Sequence, residues 1–465
     1  MEKLKGKITI PNIIIAFIIL QPIIDIITSL GIEYIGLSIT FGMIIRTIFM
    51  IFVGILGIIK AKGKYKIVMC VYFGALLLYM ASFIANSYMQ NGFALILTQA
   101  KGLIKNFYLP IIIVSLIPIF KSYEIKIDKK VFNTTLMIYV ITIFICSIIG
   151  VAFPTYKAGD KAGTVGLFYS ANEIGAILCL LSPFLVADLS NKKFSIKDTI
   201  FILLFVYAVL QLGTKVPYFG LIILIVSIIF ACIINGKIKK EKYLYKKAGI
   251  FFACLVCIYL ITGLTPVGKN LANIYGNIFP ITEEMLKFGE QKPPTLTEFK
   301  NFEELKTTTV SGRDDFLKAN KEKFTNSNLL NKLIGIGFIE NENGNIKELK
   351  LTEMDYYDIL FCSGIIGTTL FALPILIFAV MFIRYSMINK NKITIELIYS
   401  IVMAAVVALL AGHVLVSPAV SIYIAIILVK YDYEIRSEDE EKVENNDIST
   451  PPFRRRGRKN NCYIK

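Results

Sequence analysis

The chain has no tryptophan in 465 residues and only one histidine, His413. Isoleucine, lysine and asparagine are abundant instead, which suggests AT-rich coding. Its eight cysteines all fall in apolar stretches or near the C-terminus, and none lies in the longest hydrophilic interval, residues 266–356. That interval therefore has no disulfide framework to stand on. Cys254 and Cys257 form a C-x-x-C within an apolar run, where they share a helix face. No second ligand pair completes a zinc site, so packing is their expected role. No P-loop, nucleophile elbow or Rossmann glycine pattern occurs, and the acids of the interval match no nucleotide-sugar site. No A-x-A-like site follows the first apolar run, so residues 8–30 read as a retained helix and not a signal peptide.

Hydrophobic residues, in contrast, make up 55% of the chain, and the mean hydropathy is +0.65. A soluble domain sits nearer zero, so the bilayer is the solvent. The net charge of +16 could suggest nucleic acid, but its distribution argues against that partner. Lysines and arginines cluster in alternate loops, at Lys60–Lys66, Lys121–Lys130, Lys192–Lys197, Lys237–Lys247 and Arg384–Lys392. Turns such as GIEYIG (31–36), NSYMQNG (86–92) and GHVLVSP (412–418) carry none. Cationic loops stay cytoplasmic, which predicts both termini inside and the long insert outside.

Spans are expected at 8–30, 35–59, 65–86, 103–120, 129–152, 170–189, 196–213, 216–235, 246–265, 357–384, 393–414 and 415–430. The expected fold is an all-α polytopic membrane protein of about twelve transmembrane helices, with one large extracellular loop between helices nine and ten. Residues 1–265 hold the first nine helices, 266–356 the external loop domain, 357–432 the last three helices, and 433–465 a disordered cytoplasmic tail. The stretch 92–105, interrupted by Gln99, Lys101 and Lys105, reads as interfacial or re-entrant. The tail runs from an acidic to a basic block, whose basic end is attracted to anionic lipid. Within the insert, helices are expected at 282–288 and from Gly312 to Phe324 with Ser311 as N-cap, and a tight turn at Asn343-Gly344.

Several polar residues stand where chemistry needs them. Arg313, in SGRDD, lies at a helix start in the insert and suits a diphosphate or carboxylate. It could equally pair with Asp314 or Asp315. Glu353 and Asp355 precede the tenth span, where a carboxylate could act as general base on a sugar hydroxyl. Asp355 also fits a capping box with Thr352, so Glu353 is the preferred base. Lys215 sits in a short turn, within reach of an anionic head group or simply snorkelling. Arg46 is the deepest charge, with Asp25 as its obvious partner, and is either a structural ion pair or a support beneath substrate phosphates. Lys101 and Lys105, four apart, could add to a cationic funnel. His413 reads as a satisfied helix-end histidine.

Four stretches resemble the O-antigen ligase and polysaccharide polymerase superfamily. They are GLFYSANEIGAILCLLSP (166–183), LGTKVPYFGLIILIV (212–226), SGRDDFL followed by LIGIGF, and EMDYYDILFCSGIIG (353–367). Lys215 stands where that family carries an arginine, and Glu353 where it carries a histidine eleven residues before a glycine, here Gly364, with Gly367 matching a second. The resemblance implies a GT-C-like bundle and transfer from a polyprenyl-diphosphate-linked saccharide donor to a glycan acceptor, without cofactor or metal. It implies Glu353 as the base and Arg313 and Lys215 on the departing diphosphate. Membrane lipids and components of an export pathway are the further partners implied. Competing readings are a peptidoglycan polymerase of the shape, elongation and division type, a transporter or flippase of lipid-linked sugars, and a membrane sensor. The one lopsided insert and the lack of matched halves disfavour the transporter.

Overall fold

A computed structural model describes residues 9–93, 95–157, 161–186, 195–275, 279, 313–342, 345–388 and 394–449. Apolar runs bounded by caps become antiparallel helices joined by short turns. The first nine are α1 (Ile10–Ile35), α2 (Phe41–Lys60), α3 (Gly63–Asn91), α4 (Ile96–Tyr123), α5 (Lys129–Ile149), α6 (Ala171–Val186), α7 (Ile196–Leu212), α8 (Lys215–Lys239) and α9 (Lys242–Thr262). Threonine, serine and aspartate side chains accept the orphan amides that start several of them. Thr40 takes the Met43 N–H at the head of α2, and Ser195 and Asp198 form a reciprocal box at α7.

Eight helices among the described residues are long and apolar enough to cross a membrane, namely α1–α5, α8, α9 and the later α13 (Asp355–Ile388). α6 and α14 (Ile395–Leu410) are apolar but shorter. Most spanning helices bury less than half of their apolar window and present residues such as Ile51, Leu78 and Val380 outward, a surface suited to lipid. Two helices form the centre. α4 buries 78% of its window, and α15 (Pro418–Ser449) is buried nearly all round from Val420 to Val429.

Two segments differ from their sequence expectation. Residues 96–105 are not a separate interfacial piece but the first turns of α4. Gln99 can be buried there because its amide donates to Ser87 Oγ (3.0 Å) and accepts the Phe338 N–H (2.8 Å). At the other end α15 runs on to Ser449, past residue 433, where an irregular tail was expected. Ion pairs one turn apart, Lys430 with Glu434 and Asp432 with Arg436, carry it out of the apolar core.

The described part of the insert contains α10 (Pro266–Tyr275), α11 (Arg313–Asn326), α12 (Leu329–Ile334) and a hairpin pairing β1 (Ile339–Glu342) with β2 (Asn345–Glu348). The helix expected at 282–288, the Ser311 cap and the Asn343-Gly344 turn lie outside the described residues. A break in α13 docks this region onto the bundle. Gly364 adopts φ 65° and ψ −173°, a conformation open essentially to glycine alone, and frees nearby carbonyls. Ile336 N–H donates to Phe361 O (2.9 Å) and Gly337 N–H to Cys362 O (3.2 Å). A Cβ on Gly364 would strike the backbone of Leu333 and Gly335, so the L-I-G-I-G segment fits only against a side-chain-free break. Tyr79 of α3 closes the joint, donating to Ile334 O (3.0 Å) and Ser363 O (2.8 Å).

Candidate functional site

The N-termini of α2, α4, α6, α8, α13 and α15 lie at the end of the bundle that carries the insert, because the helices alternate in direction. Their amide dipoles give this end a positive bias toward anions. Arg313 is the first residue of α11, and Glu353 lies in the loop before α13. Forty residues apart in sequence, the two meet, with the guanidinium donating to Glu353 Oε2 at 3.1 Å. Lys350 Nζ donates to the other oxygen at 2.8 Å and stacks over the Phe316 ring. Glu353 has φ 58°, costly for a residue with a side chain, and its carbonyl presses on Gly412, where a Cβ would come within 2.6 Å.

Burial opposes ionisation of the Glu353 carboxyl. The hydrogen bond and charge of Lys350, together with the electrostatic influence of His413 and Arg313, outweigh it and hold the carboxyl below the usual glutamate range. Arg313 also acts electrostatically on Tyr156 and on Lys215, and Lys161 acts on Lys215 as well. Burial pushes the Tyr156 hydroxyl up, against the opposing pull of Arg313. The cationic neighbourhood thus joins α11, the head of α8 and the loop between α5 and α6. Asn270 of α10, missed in the sequence, clamps that loop. Its amide donates to Ala162 O (2.6 Å) and Gly213 O (2.8 Å) and accepts the Ala162 N–H (2.8 Å).

Beside this cluster a cavity of about 320 Å³ descends between α1, α2, α4 and α6. Arg46 lies on its wall, paired with Asp25 at 2.5 Å as expected, and donates to Gln21 Oε1 at 2.9 Å. Tyr139 donates to the other Asp25 oxygen at 2.6 Å. Lys105 and His413 also face the cavity, but Lys101 does not. Lys101 donates to Ser38 O (3.1 Å) and approaches Glu348 of β2 at 3.9 Å, linking the α1–α2 turn to the hairpin. Glu173, absent from the sequence candidates, lines the cavity and accepts the Ser417 hydroxyl at 2.6 Å. An acid in an apolar span marks function by default, so the signal was present in ANEIG.

Asp355 has a different occupation. Its carboxylate accepts the backbone N–H groups of His413 (2.8 Å), Val414 (2.9 Å) and Leu415 (2.6 Å), tying the head of α13 to the turn before α15. The Thr352–Asp355 capping box does not form, since Thr352 gives its amide and hydroxyl to Asp358 instead, both at 2.7 Å. His413 has φ 59° in that turn, beyond the end of α14, and so is not a helix-end residue in the expected sense. Cys254 and Cys257 are exposed on α9 and do not pack into the core of the bundle as expected. An apolar groove of about 330 Å³ lies between α8 and α9, lined by Tyr218, Ile222, Leu255, Val256, Ile258 and Tyr259.

A family model described as O-antigen ligase like membrane protein matches residues 7–436. The chain belongs to this family. No curated protein matches it. Membership in the O-antigen ligase-like family, together with the apolar helices, makes it a multi-pass membrane protein of glycan ligase or polymerase type, acting on lipid-linked saccharide and glycan.

Proposed function

We propose that the protein transfers or polymerises saccharide units carried on a polyprenyl diphosphate, building a cell-surface polysaccharide on the outer side of the cytoplasmic membrane. In this reading the chain crosses twelve times, both termini are cytoplasmic, and residues 266–356 are extracellular. Lysine-rich loops at the end opposite the insert, such as Lys60–Lys64 and Lys126–Lys130, support that orientation. The observation that carries the chemistry is the Arg313–Glu353 contact, with Lys215 in electrostatic reach of Arg313.

The reaction is a direct displacement at the anomeric carbon. The acceptor oxygen forms a bond to C1 as the bond from C1 to the diphosphate oxygen breaks, and the acceptor proton passes to Glu353. Arg313 and Lys215, with Lys161 nearby, receive the charge growing on the diphosphate. Fixed cations in a partly dry site perform this task without a metal. A carboxylate held by Arg313 is a weak base, so the pair also works as a latch. When the diphosphate takes the Arg313 donors, Glu353 loses a neighbouring cation and its basicity rises. The isoprenoid chain would lie in the groove between α8 and α9, which begins one turn from Lys215.

The test uses purified protein, a polyprenyl-diphosphate-linked oligosaccharide and an acceptor glycan, with product length read on gels. The parent lengthens the glycan. Arg313→Ala lowers the rate about 10²–10³-fold, in the manner of a lost transition-state donor. Glu353→Gln lowers it about 10²–10⁴-fold, as expected for a lost general base. Full activity in Glu353→Gln would remove it as the base, and movement of the carrier without longer glycans would make the protein a transporter.

A further inference from the structure

Tyr108, on α4, is fully buried, lines the cavity, and its hydroxyl has no hydrogen-bond partner among the described residues. A buried hydroxyl left without a hydrogen bond costs on the order of 1–3 kcal/mol, so an unsatisfied hydroxyl bordering a cavity points to a ligand that satisfies it. The charges of the wall say what kind. Asp25 and Glu173 balance Arg46 and Lys105, and Arg46 is already committed to Asp25 and Gln21. A diphosphate would bring two or more negative charges to a wall with no net positive charge, leaving carboxylates beside phosphates. A neutral polyol instead finds donors and acceptors in Ser170, Glu173, Ser417 and Tyr108, and apolar surface in Ile32 and Ile104 for its C–H groups. The volume, about 320 Å³, lies at the small end of ligand pockets.

We infer that this cavity is a subsite for a neutral sugar ring of the glycan substrate and not a seat for the diphosphate, with the Tyr108 hydroxyl as its buried anchor. Arg46 and Lys105, expected on the diphosphate, then shape the sugar subsite instead. His413 lies on the cavity wall and also acts electrostatically on Glu353, so a ring held there has its hydroxyls beside the proposed base. The inference rests on the glycosyl-transfer reading for the identity of the ligand, but its test needs no turnover.

The absence of tryptophan supplies the reporter. Tyr169→Trp places the only indole of the chain on the cavity wall. Emission from this variant of the full-length protein is followed with three kinds of probe. These are methyl glycosides of glucose, galactose, mannose, rhamnose and N-acetylglucosamine, the corresponding sugar 1-phosphates, and inorganic pyrophosphate. At least one methyl glycoside is expected to give a saturable change, and adding Tyr108→Phe weakens it about threefold to tenfold, one hydrogen bond's worth. Selectivity for the methyl glycoside assigns the ring to the acceptor, whereas tighter binding of its 1-phosphate assigns it to the donor sugar. A response to pyrophosphate alone, no response to any glycoside, or an unchanged affinity in Tyr108→Phe with its melting temperature retained overturns the inference. Loss of glycan transfer in Arg313→Ala is independent of this binding, so the two ideas can fail separately.

Discussion

Glu353 is held ionised by Lys350 and Arg313 against the cost of its own burial. Because its folded pKa lies below the unfolded value, the stability this adds is present above about pH 4.3 and is lost as pH falls through the folded pKa. The acid limb of kcat/KM, which reports the free enzyme, should therefore fall below the ordinary glutamate range. The limb of kcat, measured with Arg313 drawn onto the diphosphate, should sit higher. Coincident limbs in the two profiles would exclude the latch. Arg313, Glu353 and the Arg46–Asp25 pair were legible in the sequence because a charge beside or inside an apolar run is conspicuous. That Arg313 meets Glu353 was not legible, since periodicity does not say which distant turns touch. Tyr108 was invisible for a different reason, as a tyrosine in a mostly apolar helix looks like packing until its hydroxyl proves to have no partner among the described residues.

The break in α13 carries the insert. Gly364→Ala forces a side chain into a conformation with positive φ, costing about 1–2 kcal/mol before any steric clash. It also displaces the Leu333–Gly335 backbone. Limited proteolysis should show faster cleavage around α11 and α12, with the transmembrane fragments still protected, and cleavage at the parent rate would argue that the break does not hold the insert. Each stretch expected as a span overlaps a helix, and eight of these helices are long and apolar enough to cross a membrane, because twenty apolar residues in a row have few alternatives in a bilayer. The start of α4 was misread because Gln99 looked as if it needed water. Its partners, Ser87 and Phe338, come from another helix and from a segment more than two hundred residues away. The continuation of α15 to Ser449 was missed because an acidic composition resembles a tail, although no proline or glycine interrupts it before Pro451.

For the whole molecule, orientation is the decisive property. In a background lacking the native cysteines, Lys318→Cys on α11 should react with a membrane-impermeant maleimide on intact cells, and Lys126→Cys only after permeabilisation; the reverse pattern puts the proposed site in the cytosol. Both positions are exposed, so access is set by side and not by burial. α15 contributes Tyr423 and Ile426 to the middle of the molecule, where the Tyr423 hydroxyl meets that of Tyr139 of α5, and further along α15 Tyr433 packs edge-on against Phe120 of α4. Ribosomes deliver this plug after the helices it packs among, so during synthesis those helices surround a vacancy until it arrives. Shortening the protein from its C-terminus into that span would hollow out the centre and leave the earlier helices without their keystone.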